Sequence, residues 1–246
     1  MNEKAASETG RSISLVIPFQ QLRSAVYGLA TNPESIQERL ATAWSLQLKY
    51  LLFDQAPDFV QQEFGNLRQE MSRWVSANEE CDPRLVASEV EAREWLTKLL
   101  YIFDDLTQML VASRYHTVKA KRLKVRPELS TSEPTIQQKL QLAVHTLVLG
   151  IGSIQERFSR AYHSQLDDVE VMQLPAHLQK AFVEIREVGR KTVPKDDLKD
   201  FALGQNQARH LASTLFLLAE QLTDLSIVSR YELIQPVLPA EALRYE

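Results

Sequence analysis

A single cysteine, Cys81, stands in 246 residues, so no internal disulfide can form, and a reducing compartment is expected. Glycine is scarce, at seven residues, and β-branched runs are few, which favours helix over sheet. The glycine-rich signatures of nucleotide binding are missing, as is Gly-x-Ser-x-Gly; there is no Walker loop and no Gly-x-Gly-x-x-Gly. The five histidines (116, 145, 163, 177 and 210) form no His-x-x-x-His or His–Cys cluster, so neither a metal nor a cofactor is expected. Long apolar runs are also missing. LQLAVHTLVLGIG and LASTLFLLAEQL fall short of the ~20 residues that cross a bilayer, so no membrane association is expected. The opening MNEKAASETGRS has no apolar stretch of the secretory kind, and a cytoplasmic protein is the expectation.

What is present is a repeat. Residues 35–73 align without a gap on 153–191, and 13 of 39 positions are identical. Upstream, Gln20, Leu22, Ala25, Val26 and Leu29 match Gln138, Leu140, Ala143, Val144 and Leu147 at the same offset. After a two-residue slip, 92–115 matches 208–231, giving 26 identities in 73 aligned positions. Unrelated stretches of ordinary composition would share roughly four or five. The sequence therefore reads as a tandem duplication.

The fold class expected is all-α: two copies of a roughly four-helix unit forming a pseudo-twofold bundle. The boundaries expected are a disordered tail at 1–12, repeat 1 at 13–113, a basic connector at 114–132, repeat 2 at 133–232 and a C-terminal strap at 233–246. In each copy a first helix, at 18–31 and 134–149, should close at Asn32 or Gly150 in the left-handed conformation. Ser35 with Glu38, and Ser153 with Glu156, read as capping boxes opening a second helix at 36–53 and 154–170. Its apolar face would be Ile36, Leu40, Trp44, Leu48 and Leu52, against Ile154, Phe158, Tyr162 and Leu166. Pro57 and Pro175 introduce a third helix, and a short heptad seam marks the fourth, from Trp95 to Met109 and from Leu211 to Leu225. Ser14–Phe19 would be a short extended arm.

Charge is unevenly placed. Residues 1–113 carry net −6 and 127–246 net −4, while 114–126 carry six basic and no acidic side chains. Within that connector Lys119, Lys121, Arg122, Lys124 and Arg126 could neutralise a few phosphates, with Tyr115 and His116 available to stack on bases. The sequence pI of about 5.8 is wrong for a dedicated nucleic-acid binder.

The sharpest enzymatic signal is Arg157-Phe-Ser-Arg-Ala-Tyr-His163. Arginine followed by histidine after a few residues on a helix of an all-α domain resembles the motif of HEPN ribonucleases. The resemblance implies metal-independent RNA cleavage, with the histidine as acid–base group and the arginine stabilising phosphorane charge. It spans seven residues, Phe158 stands where that family usually has a polar residue, and the first copy has Ser45 opposite His163.

Other polar residues recur in both copies: Arg39 and Arg157, Arg68 and Arg186, Arg93 and Arg209, Gln61 and Gln179, with Asp104 and Glu220 as matched acids. Arg68, Arg93 and their counterparts are expected to tie helices together through bidentate pairs with neighbouring acids. The function expected is non-enzymatic: a helical interaction or regulatory module, such as a bacterial accessory protein, that docks a protein partner. The alternative is RNA cleavage or binding through the second copy and the connector.

Overall fold

The computed structural model describes residues 3–54, 56–76, 87–114, 135–192 and 203–234, with side chains placed for all but the ends of these segments. Among the described residues there are eight α-helices and no strand. They are α1 (Glu3–Thr31), α2 (Ile36–Leu46), α3 (Asp58–Ser76), α4 (Glu89–Arg114), α5 (Ile136–Leu149), α6 (Ile154–Ala161), α7 (Ala176–Thr192) and α8 (Gln205–Ile234). No helix among the described residues is long and apolar enough to cross a membrane.

Local chemistry sets the helix starts. Ser35 Oγ accepts the Glu38 backbone N–H at 3.3 Å, and the Glu38 carboxylate accepts the Ser35 N–H at 3.2 Å. Ser153 and Glu156 repeat both bonds, at 3.3 and 2.8 Å. Thr135 with Gln138 opens α5, and Ser88 with Glu91 opens α4, in the same reciprocal way. Ahead of α3 and α7, the recurring glutamines close the preceding loop. Gln61 Nε2 donates to the Ala56 carbonyl at 2.7 Å, and Gln179 Nε2 to the Leu174 carbonyl at 2.9 Å.

Four expectations need correcting. The chain from Glu3 onward is helical, so α1 takes in both the expected tail and the expected extended arm. Its opening, Glu-Lys-Ala-Ala-Ser-Glu, is rich in good helix formers, and Pro18 is carried inside the helix. The second helix stops early. After Leu46 a 3-10 turn (Leu48–Tyr50) changes the phase, so Leu51 is buried and Leu52 faces outward. In the second copy the helix instead widens into a π turn at Tyr162–Leu166, which keeps both of those side chains buried. Finally, Gly150 is extended (φ −67°), and the positive φ falls two residues later, at Gly152 (φ 93°).

The two halves share one core. α1, α4, α5 and α8 pack on one another in the middle, with α2 and α3 flanking α4, and α6 and α7 flanking α8. One continuous apolar cluster takes in Leu22, Leu29, Phe103 and Leu106 together with Leu140, Leu147, Phe182 and Phe216. Rings cross between the halves: Phe103, itself stacked on Phe19 at 5.7 Å within the first half, stacks on Phe216 at 6.3 Å, and Tyr27 meets Phe216 edge-on at 5.5 Å. Two independent bundles on a linker would not bury such a seam.

The two halves differ in side-chain size at one pair of aligned positions. Trp44 and Met71 are both buried in the first half. At the matching places the second half has Tyr162 and Gly189, and a Cβ on Gly189 would lie 2.5 Å from the tyrosine ring. The glycine is there to admit the ring.

Candidate functional site: a buried arginine pair and an exposed apolar stretch

Arg39 and Arg157 are the largest fully buried side chains, at 1% and 0% exposure. Each occupies the second slot of an apolar i, i+3, i+4, i+7 stripe: Ile36, Arg39, Leu40, Ala43 and Ile154, Arg157, Phe158, Ala161. That stripe faces inward, so the guanidinium is carried into the core at the place where α1 and α5 end. Helix C-termini leave backbone carbonyls without intrahelical donors and concentrate negative partial charge. The arginines answer both needs.

Arg39 Nη1 donates to the carbonyls of Leu29 (2.6 Å), Val148 (2.9 Å) and Leu147 (3.2 Å), and its Nη2 to that of Gly150 (2.7 Å). Arg157 Nη1 donates to Leu147 (2.6 Å), Leu29 (3.3 Å) and Ala30 (3.4 Å), and its Nη2 to the Asn32 carbonyl. The two sets correspond residue for residue. The partners of Arg39, displaced by the offset of the sequence alignment, become the partners of Arg157. Each arginine therefore closes the first helix of its own half and the first helix of the other.

No carboxylate is among these acceptors. Burial, and then the neighbouring Arg157, pull the Arg39 guanidinium down to about 9. Burial, and then Arg160, pull Arg157 down to about 10. Both stay cationic at neutral pH, held by carbonyl dipoles rather than by counter-charges.

A second polar group bridges the halves between α4, α5 and α8. Glu220 on α8 accepts both Nε and Nη2 of Arg23 on α1, at 2.5 and 2.7 Å, which raises the arginine above its ordinary value. His145 on α5 shares a 3.2 Å hydrogen bond with Asp104 on α4, and Gln141 donates to Thr223 at 3.3 Å. Asp104, Thr107, Gln141, His145, Glu220 and Thr223 border a half-open cavity of about 30 Å3. That is room for a water or two, not a substrate.

The remaining sequence-derived candidates are placed as follows. Arg157 is buried in the core with both terminal nitrogens on backbone carbonyls, so it presents no face to an RNA phosphate. His163 sits edge-on to Tyr162 at 5.4 Å with its Nε2 buried and unpartnered, and no hydrogen bond joins it to Arg157. Arg93 and Arg209 are exposed and Arg68 and Arg186 half-buried; among the described residues, a bidentate pair binding two helices is Arg23–Glu220. Cys81, Tyr115, His116, Lys119, Lys121, Arg122, Lys124 and Arg126 lie outside the described residues. Among the described residues no group of three His, Cys, Asp or Glu is placed to hold a metal.

One surface feature distinguishes the halves. Around the end of α2 and the start of α3, Leu46, Tyr50, Leu52 and Phe59 are 67, 62, 58 and 44% exposed. At the aligned positions the second copy has Ser164, Asp168, Glu170 and His177. At these four positions a polar side chain thus suits the fold, although Met172 is exposed nearby in the second half, and the first half carries apolar ones. The other exposed apolar residues, such as Ile17, Val90, Tyr101 and Met172, are single side chains spread over different stretches, which is ordinary for a protein surface.

No family model matches the chain, and no curated protein or solved structure is similar enough to match it.

Proposed function

We propose that the chain is a tandem duplication folded as a pseudo-twofold pair of four-helix units, and that it acts as a non-enzymatic module docking a protein partner. The pseudo-twofold reading is supported by the reciprocal bonds of Arg39 and Arg157, which exchange partners under the repeat offset. The packing pattern agrees with it: α1 on α4 is matched by α5 on α8, and α2 on α4 by α6 on α8.

The docking reading is carried by the apolar stretch of the first half. Duplicated units start alike, so a surface that is apolar in one and polar in the other has diverged without a demand from the fold. Exposed leucine, tyrosine and phenylalanine side chains gathered in one short region are the usual anchors of protein association. Both halves keep the buried residues that hold the bundle, which leaves the surfaces free to differ.

The test is quantitative co-purification from the native host. It compares the natural protein with a variant carrying the second copy's residues, Leu46→Ser, Tyr50→Asp, Leu52→Glu and Phe59→His. A protein partner recovered with the natural chain and lost from the variant is the expected result. Unchanged recovery of every co-purifying protein would contradict the reading.

A further inference from the structure

Resting on that docking reading, we infer that the apolar stretch of the first half receives a basic amphipathic segment of the partner protein. Backbone geometry gathers the anchors. Leu51 is extended (φ −66°, ψ 129°), and residues 51 to 53 alternate buried, exposed, buried, so Tyr50 and Leu52 flank Leu51 on the outer side. Leu46 lies four residues before Tyr50, at the end of α2.

The surrounding charge sets the partner's sign. Asp54, Asp58 and Glu63 are all exposed, and no ion pair among the described residues engages them. Asp58 lies in the first turn of α3, where the helix end favours an acid, but Asp54 and Glu63 have no such role. Lys49 is the one cation in residues 46–63, and it lies over the Tyr50 ring at 4.7 Å. The aligned positions of the three acids in the second copy are Met172, Ala176 and Ala181. Those three positions are therefore uncharged in the second half, whose acids in the matching stretch, Asp167, Asp168 and Glu170, stand elsewhere, with Asp168 paired to Lys139.

A hydrophobic surface edged with carboxylates that no ion pair among the described residues engages fits a helix with leucine or phenylalanine on one face and lysine or arginine beside it. The same acids repel phosphates, which disfavours nucleic acid and anionic lipid at this place.

The experiment uses the full chain and two labelled synthetic helical peptides of about fourteen residues, one of leucine and lysine, the other of leucine and glutamate. Fluorescence anisotropy should show binding of the lysine peptide and not of the glutamate peptide. The charge variant Asp54→Asn with Glu63→Gln should weaken the lysine peptide roughly tenfold, as two exposed charge contacts allow. The anchor variant Leu46→Ser with Leu52→Ser should abolish binding. All four positions are exposed, so unchanged thermal melts should accompany both variants.

Equal binding of both peptides, or lysine-peptide binding indifferent to the charge variant, overturns the basic partner while leaving docking intact if the co-purifying protein is still lost. Lysine-peptide binding indifferent to the anchor variant overturns the proposed site. Failure of the lysine peptide to bind overturns the inference.

Discussion

Replacing Arg39 with methionine asks how much of the fold's stability rests on a cation placed among backbone carbonyls. Methionine fills much of the same volume but donates nothing. Arg157 still reaches the Leu29 and Leu147 carbonyls, so the oxygens that lose their arginine donor outright are those of Val148 and Gly150. A buried acceptor left unpaired costs about 1–3 kcal/mol, and the Gly150 oxygen, being partly exposed, can recover some of this from water. The short Leu29 contact adds to the loss, while relief of the Arg39–Arg157 repulsion and of a buried charge offsets it. The net expectation is a destabilisation of about 2–4 kcal/mol, read as a lower urea midpoint at unchanged slope by far-UV circular dichroism. For a chain of this size it corresponds to a fall in Tm of roughly 5–15 °C. Arg39→Lys should fall in between, because a point ammonium cannot reach both the Leu29 side and the Gly150 side. Arg93→Ala, on the exposed face of α4, should stay within about 0.5 kcal/mol of the natural protein. An Arg39→Met protein as stable as the natural one would refute the reasoning.

Further outcomes follow from the same geometry. Gly189→Ala should cost about 1–3 kcal/mol by overpacking against Tyr162, and a melt indistinguishable from the natural protein would show that the ring has room to move. Glu91 accepts the Ser88 backbone N–H and hydroxyl, which holds its carboxyl below the ordinary 4.5. Its folded value is depressed, so the capping contribution is fully present above pH 4.5 and fades as pH falls through the lower value. NMR titration should give a midpoint under 4.5 that returns towards it in Ser88→Ala, and a midpoint at or above 4.5 in the natural protein would contradict the cap. Purified protein should leave single-stranded RNA intact; cleavage that disappears in His163→Ala would overturn the non-enzymatic reading.

Local devices were legible in the sequence because their partners are a few residues away. The capping boxes at Ser35 and Ser153 need only a serine and a glutamate at fixed spacing. The apolar stripes of α3 and α7 likewise declare their buried faces through Val60, Phe64 and Leu67 and through Leu178, Phe182 and Ile185. The arginine pair was not legible in the same way. Arginine beside an apolar stripe normally keeps its head in water, and the acceptors that hold Arg39 and Arg157 are up to 128 residues distant. One signal was available: each arginine stands within the stripe, between Ile36 and Leu40 or Ile154 and Phe158, not at its edge. The π turn after α6 and the 3-10 turn after α2 were also hidden, since the four-residue apolar spacing runs through both without a break. The apolar stretch at 46–59 was concealed by that turn, because a continuous helix would have placed Leu52 inward.

The most direct measurement of the pseudo-twofold arrangement is a pair of spin-label distances. With Cys81 replaced by serine, one sample carries Gln62→Cys with Ser164→Cys, and the other Lys180→Cys with Leu46→Cys. Under a twofold relation between the halves these separations are equivalent, since each joins one half's α3 or α7 to the end of α2 or α6 in the other. Coincident distance distributions from double electron–electron resonance are the predicted result. Distributions separated by more than the breadth of the label rotamers would contradict it.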